Sequence, residues 1–161
     1  MYATRPVDLD FLNAAPLRLT FANTLRAKPT AVFDAIAHDV ATLPRWYGAV
    51  AKAEYGGTEP FGVGTKRRVK LVGGVAFHER ILAWDSPDRY AYAIERTTVP
   101  GIRAMAESWS VVETPAGTRV VWTMALDVAR PTAAALRASA PGVGLATRRA
   151  LGRLDRMLVA G

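Results

Sequence analysis

The chain has 161 residues, 50% of them hydrophobic and 22% charged, the make-up of a single domain that buries roughly 70% of its unfolded surface. It contains no cysteine and only two histidines, His38 and His78, which argues against a disulfide framework, thiolate catalysis and cysteine- or multi-histidine metal sites. Lys and Arg number 21 against 14 Asp and Glu, a net charge of +7, but 17 of the 21 are arginine and 29 residues are alanine, the signature of a GC-rich coding sequence. The arginines are spread from Arg5 to Arg156 rather than interleaved with aromatics, so no nucleic-acid partner is expected. The longest stretch without a charged residue is the ten from Ala138 to Thr147, far below the roughly 18 that a membrane span needs. A cytoplasmic monomer or homodimer, without cofactor or metal and not integral to a membrane, is the simplest expectation.

Residues 1–16 lack a period and end in Asn13-Ala14-Ala15-Pro16, which reads as a loosely held arm before a domain over 17–160. Leu17, Leu19, Phe21 and Leu25 alternate with polar or small residues, as in a half-buried strand. Pro29 suits a first helical turn, and Val32, Phe33, Ile36 and Ala37 share one helix face until Pro44 stops the run. A short second helix fits 39–43, and a strand fits 49–55. A meander of antiparallel strands follows. After Arg130-Pro131 a helical pattern returns, broken at Pro141-Gly142 and resumed with Leu151, Leu154 and Leu158 on one stripe. Strand, helix, a run of strands and a long helix imply an α+β layer with helices on one face of an antiparallel sheet.

The strand registers can be argued from the apolar positions. Val69, Leu71, Val75 and Phe77 share a face only if Val72-Gly73-Gly74 is a three-residue hairpin loop, which sets Arg67 opposite Glu79. Met105, Trp109 and Val111 alternate with small residues and carry Glu107 inward. Val120, Trp122, Met124, Leu126 and Val128 form the inner face of the last strand, with Trp109 opposite Trp122. Tyr90, Tyr92 and Ile94 also face inward. Arg67, Glu79, Tyr92 and Glu107 then lie at similar heights as a polar belt in an apolar interior, and buried charges require partners. His78 has the opposite parity and points outward; His38 lies near a helix end, a structural position.

Several phrases in order make the chain resemble the START-like (SRPBCC) superfamily, and within it the polyketide cyclase/dehydrase-like proteins. Lys28-Pro29-Thr30-Ala31-Val32-Phe33-Asp34-Ala35 resembles the opening helix, Leu43-Pro44-Arg45-Trp46-Tyr47 the tryptophan segment, and Gly62-Val63-Gly64-Thr65 the turn into the third strand. The segment Phe77-His78-Glu79-Arg80-Ile81-Leu82-Ala83-Trp84-Asp85-Ser86-Pro87-Asp88-Arg89 resembles the most characteristic phrase, and Gly117-Thr118-Arg119-Val120 the start of the last strand. The resemblance implies a helix-grip fold: a seven-stranded sheet curled around the C-terminal helix, two short helices between the first two strands, and a cavity for a hydrophobic or amphipathic small molecule. The expected wall is Trp46, Phe61, Val69, Phe77, Tyr90, Tyr92, Trp109, Trp122 and Met124, with Trp46 and Phe61 near the mouth and a volume of roughly 300–1,000 Å³. Two functions follow. One is a binding module for a lipid-like or aromatic molecule. The other is a cyclase/dehydratase in which Glu107 or Glu79 serves as general acid or base and Arg67 holds an oxyanion. An arginine paired with both glutamates favours binding alone; a glutamate facing the cavity without a cation favours chemistry.

Overall fold

The computed structural model describes residues 1–161. A two-residue strand β1 (Tyr2–Ala3) and a one-turn helix α1 (Phe11–Ala14) precede β2 (Leu17–Leu25). Helix α2 (Pro29–Phe33) opens on Pro29, continues without a break into a π-helical turn over Asp34–His38, and is followed by a 3-10 turn at Val40–Thr42 and by α3 (Leu43–Trp46). Strands β3 (Val50–Tyr55), β4 (Lys66–Leu71), β5 (Ala76–Asp85), β6 (Arg89–Thr97), β7 (Ile102–Thr114) and β8 (Gly117–Val128) lead into α4 (Arg130–Ala160). No helix is long and apolar enough to cross a membrane.

The seven long strands form one curled antiparallel sheet in the order β2-β8-β7-β6-β5-β4-β3. Its concave face, closed by α2, the π turn, α3 and α4, carries the main core, centred on Val32, Phe33, Trp46, Ile81, Tyr90, Leu126, Leu151 and Leu154. The two hairpins that organise the interior have the registers expected from their apolar parity. Leu71 N–H donates to the Val75 carbonyl at 2.7 Å, closing a three-residue loop in which Gly73 and Gly74 hold φ of 91° and 92°, a conformation that a Cβ disfavours. Arg67 is therefore paired with Glu79. Across β7 and β8, Trp109 is paired with Trp122, and the two rings stack at 5.3 Å with an interplanar angle of 9°.

Both prolines expected to interrupt helices do something else. Pro44 lies in the first turn of α3, where its missing N–H would have had no intrahelical partner, so it starts a helix. Pro141 lies inside an unbroken α4. It removes one bond of the ladder, that to the carbonyl of Arg137, on an exposed stretch, while Thr147, Ala150, Leu151 and Leu154 bury the following turns and hold the helix in place. Gly144 assists: a Cβ there would lie 3.1 Å from Cδ1 of Phe21, so glycine lets α4 approach β2.

Residues 1–16, expected as a loose arm, are tied to the sheet. β6 pairs with β7 only over Arg89–Ala93; beyond that point its free edge is taken by β1, with Tyr2 opposite Thr97 and Ala3 opposite Arg96. The arm reaches both sides of this split, Thr4 N–H donating to Glu95 at 3.0 Å and Arg5 N–H to Arg103 at 2.7 Å. Phe11 and Leu12 then bury on the convex face against Ala83, Ala91, Ala104, Ala106 and Ala125. The alanines leave the depth that these larger side chains fill. Ala106→Leu is accordingly expected to push α1 off the sheet and to lower the stability of the protein by about 1–3 kcal/mol. Urea denaturation of the two proteins measures this, and an unchanged midpoint would show that the alanine patch does not seat the arm.

Candidate functional site

A cavity of about 170 Å³ lies between the concave sheet and the α2–α3 segment. Ile36, Leu43 and Tyr47 close it from the helical side, Val50, Val69, Leu71 and Phe77 from one half of the sheet, and Met105, Trp109, Trp122 and Met124 from the other. Among the lining residues, partly exposed Tyr47, Leu71 and Phe77 and exposed Ala49 lie toward the β4–β5 hairpin, and Met124 on β8 is partly exposed as well. The space is smaller than the roughly 300–1,000 Å³ of a typical ligand pocket, because five of the lining residues, Tyr47, Phe77, Tyr92, Trp109 and Trp122, are aromatic.

Of the wall expected from sequence, Val69, Phe77, Tyr92, Trp109, Trp122 and Met124 line this cavity together with Arg67, Glu79 and Glu107. Trp46, Phe61 and Tyr90 do not. Trp46 is fully buried beside the cavity, stacked on Tyr47 at 5.7 Å, and its indole N–H has no partner. Phe61 packs on Tyr55 at 4.6 Å. Tyr90 points to the opposite end of the interior: its hydroxyl donates to Tyr55 Oη at 2.7 Å, and that hydroxyl donates to the Ala37 carbonyl at 2.6 Å, pinning the π turn to the sheet. Sequence reasoning missed Ile36, Leu43, Tyr47, Ala49, Val50, Leu71 and Met105 as wall residues. The first three come from short helical turns whose faces a period of 3.6 cannot assign once a π turn intervenes.

The polar belt exists, but it is staggered and divided in two. Bulges in the β5–β6 ladder set Glu79 opposite Ile94 and Tyr92 opposite Ile81, while Tyr92 is opposite Glu107. In the first half Arg67 Nε donates to Glu79 Oε2 at 2.5 Å, both residues being only 4% exposed. The guanidinium also lies 4.2 Å from the ring centre of Tyr92 and 5.2 Å from that of Tyr90. In the second half Tyr92 Oη donates to Glu107 Oε2 at 2.5 Å and Trp122 Nε1 donates to the same oxygen at 3.0 Å. Trp109 Nε1 donates in turn to Tyr92 Oη at 3.3 Å. Glu107 has no cationic partner.

The charge states follow from this division. Burial opposes the charge on Arg67, but Glu79 and the tyrosines around it hold the guanidinium above its ordinary value. Burial holds the Glu79 carboxyl above its ordinary value, with the charge and hydrogen bond of Arg67 opposing the rise; their contact favours the ionised form of each partner. Burial pushes Glu107 up to about 7, with the Tyr92 and Trp122 donors opposing and the nearby Glu79 charge adding to the rise. Burial likewise pushes the Tyr47 hydroxyl, 3.5 Å from Thr147 Oγ1, up to about 12. His78 is on the outer face between Arg68 and Arg96, where partial burial and those two cations lower its pKa. No group of His, Asp and Glu has the arrangement of a metal site.

The family model described as polyketide cyclase/dehydrase and lipid transport matches residues 17–158. An uncharacterized Mycobacterium tuberculosis protein, Rv2574, is 34% identical over 156 residues, covering 97% of this chain and 93% of its own; an uncharacterized Mycobacterium bovis protein, Mb2604, matches to the same extent. Among solved structures, a Rhodobacter sphaeroides protein superimposes with a TM-score of 0.68 at 20% identity, over 89% of this chain and 93% of its own. The major latex-like protein 151 of Panax ginseng does so with a TM-score of 0.63 at 13% identity, over 82% and 96%. At those identities the structures share the fold alone.

The raised Glu107 pKa has a consequence for stability. In the folded protein the carboxyl keeps its proton up to about pH 7, whereas in the unfolded chain it releases it near the ordinary value of 4.5. Between those limits the folded state holds the extra proton, so this group's contribution to stability falls as pH rises from about 4.5 to about 7 and is level above, by at most roughly 1.4 kcal/mol per pH unit. Glu107→Gln, which cannot ionise, is expected to lack this part of the slope. Parallel urea titrations across that range test it; identical pH profiles would refute the assignment.

Proposed function

Because the chain belongs to the polyketide cyclase/dehydrase and lipid transport family, we propose that it binds a small hydrophobic molecule, aromatic or lipid-like, in the cavity between the sheet and the α2–α3 segment. The observation that carries this reading is a cavity wall made predominantly of aromatic and aliphatic side chains. An apolar cavity of roughly 150 Å³ accepts benzene, so about 170 Å³ fits a compact ring better than a long acyl chain. Native mass spectrometry of freshly purified protein is expected to reveal a non-covalent adduct of low mass that is lost on unfolding. A bare protein mass, together with no uptake of any small apolar compound, would sink the reading.

A second reading has its own observation. A carboxyl that faces the cavity, without a cation and with a pKa of about 7, is suited to general acid–base work. In an aldol-type ring closure, ionised Glu107 would take a proton from the carbon next to a substrate carbonyl. The enolate carbon would add to a second carbonyl, and the proton now on Glu107 would pass to the new alkoxide; dehydration repeats the proton removal as hydroxide leaves and is protonated to water. Arg67 lines the same cavity beside Glu79, where its charge would stabilise an oxyanion. Under this reading Glu107→Gln is expected to abolish turnover of a substrate that it still binds, and turnover at the wild-type rate would remove Glu107 from the mechanism.

A further inference from the structure

Glu107 receives two hydrogen bonds, and both arrive at the same oxygen. Tyr92 Oη–H and Trp122 Nε1–H donate to Oε2. The direction of the first is fixed by Trp109, whose indole N–H can only donate and uses Tyr92 Oη as its acceptor, leaving the tyrosine proton to Oε2. Oε2 is thus an acceptor twice over, and a carboxyl proton, when present, resides on Oε1. That oxygen has no partner in the protein, and its residue is part of the cavity wall.

The charged groups around this point are few. Glu107 on β7 faces Tyr92 from β6, Glu79 from β5, Arg67 from β4, Trp122 and Met124 from β8, and Tyr47 from the turn after α3. Arg67 is the one cation among them, and its Nε is held by Glu79 at 2.5 Å. A ligand carboxylate or phosphate would enter a chamber whose one cation is already paired with Glu79 and which holds a second carboxyl group, a costly placement in a low-dielectric interior. Burial also favours the neutral form of Glu107, and a neutral carboxyl whose second oxygen is already an acceptor has a donor to offer.

We infer that the cavity selects an uncharged carbonyl compound whose oxygen accepts a hydrogen bond from Glu107 Oε1, and that it rejects anions. This rests on the binding function proposed above and adds the chemical class of the ligand. It also assigns Glu107 as the specificity-determining residue, with Tyr92, Trp109 and Trp122 as the residues that orient its proton.

The test uses the full chain and four probes of one size: acetophenone, its isostere α-methylstyrene, in which a methylene group replaces the carbonyl oxygen, benzoate, and benzylamine. Affinities are measured by calorimetry at about pH 6 and about pH 8.5, on either side of the Glu107 transition. Acetophenone is expected to bind about three- to tenfold more tightly than α-methylstyrene at the lower pH, the value of one neutral hydrogen bond, with the advantage shrinking at the higher pH. Benzoate is expected not to bind. In Glu107→Gln the amide nitrogen takes the place of the Oε1 donor and cannot titrate, so the ketone preference should no longer change with pH; in Glu107→Leu it should disappear. Benzoate or benzylamine binding more tightly than acetophenone at the lower pH, or equal affinities for ketone and alkene in the wild type, would overturn the inference while leaving a binding cavity in place. Failure of all four probes to bind would instead overturn the binding function, and this inference with it. The wild-type comparison decides the matter even if a variant does not fold.

Discussion

One guanidinium shares the interior of this protein with two carboxylates, and it can neutralise only one of them. Arg67 is directly opposite Glu79 on adjacent strands, so the short contact falls to that pair, and the faces of Tyr90 and Tyr92 take the rest of its charge. Glu107 is left with neutral donors. A carboxylate held only by a phenol and an indole in an apolar setting shifts toward its protonated form, because the desolvation it suffers exceeds what two neutral hydrogen bonds return. The polarity of the cavity, and with it the type of molecule that can enter, follows from this imbalance.

The scaffold supports that arrangement by packing rather than by further charges. The stacked Trp109–Trp122 pair bridges β7 and β8, and each indole directs its N–H at the Glu107–Tyr92 unit. Tyr47 closes against Trp122 edge to face at 6.2 Å. These rings reduce the internal space to the size of a single ring and also bury the carboxyl. The same residues that make the cavity small therefore make Glu107 a weak acid.

The convex side of the sheet works on the opposite principle. There the side chains over β5 to β8 are alanines, and the bulk comes from the N-terminal segment through Phe11 and Leu12. The sheet is thus covered on both faces over its middle strands, and the β6–β7 split is bridged by backbone bonds from Thr4 and Arg5. The cavity wall, in contrast, is partly exposed at Tyr47, Leu71, Phe77 and Met124.

Much of this was legible in the residues. Strict alternation with one buried face leaves a strand a single register, since a slip by one residue would send every apolar side chain to solvent; the pairings Arg67–Glu79 and Trp109–Trp122 were therefore derivable, and so was an inward Glu107. The exact heights of neighbouring strands were not, because the bulge between Ile81 and Ala83 decides that Glu79 is opposite Ile94 and Tyr92 opposite Ile81 without leaving a mark in the period. Nor were the roles of Pro44 and Pro141, which depend on where a helix begins and what anchors it afterwards. The docking of residues 1–16 was hidden for a related reason: alanines on the outer face read as unremarkable strand residues until another segment is seen to fill the space above them. Composition and periodicity thus determined the α+β class, the meander and the cast of interior residues. Only the tertiary structure decided that Glu107 would be left without a cation, which of its oxygens would stay free and how little space the aromatic wall would leave, since each depends on distances between side chains far apart in the chain.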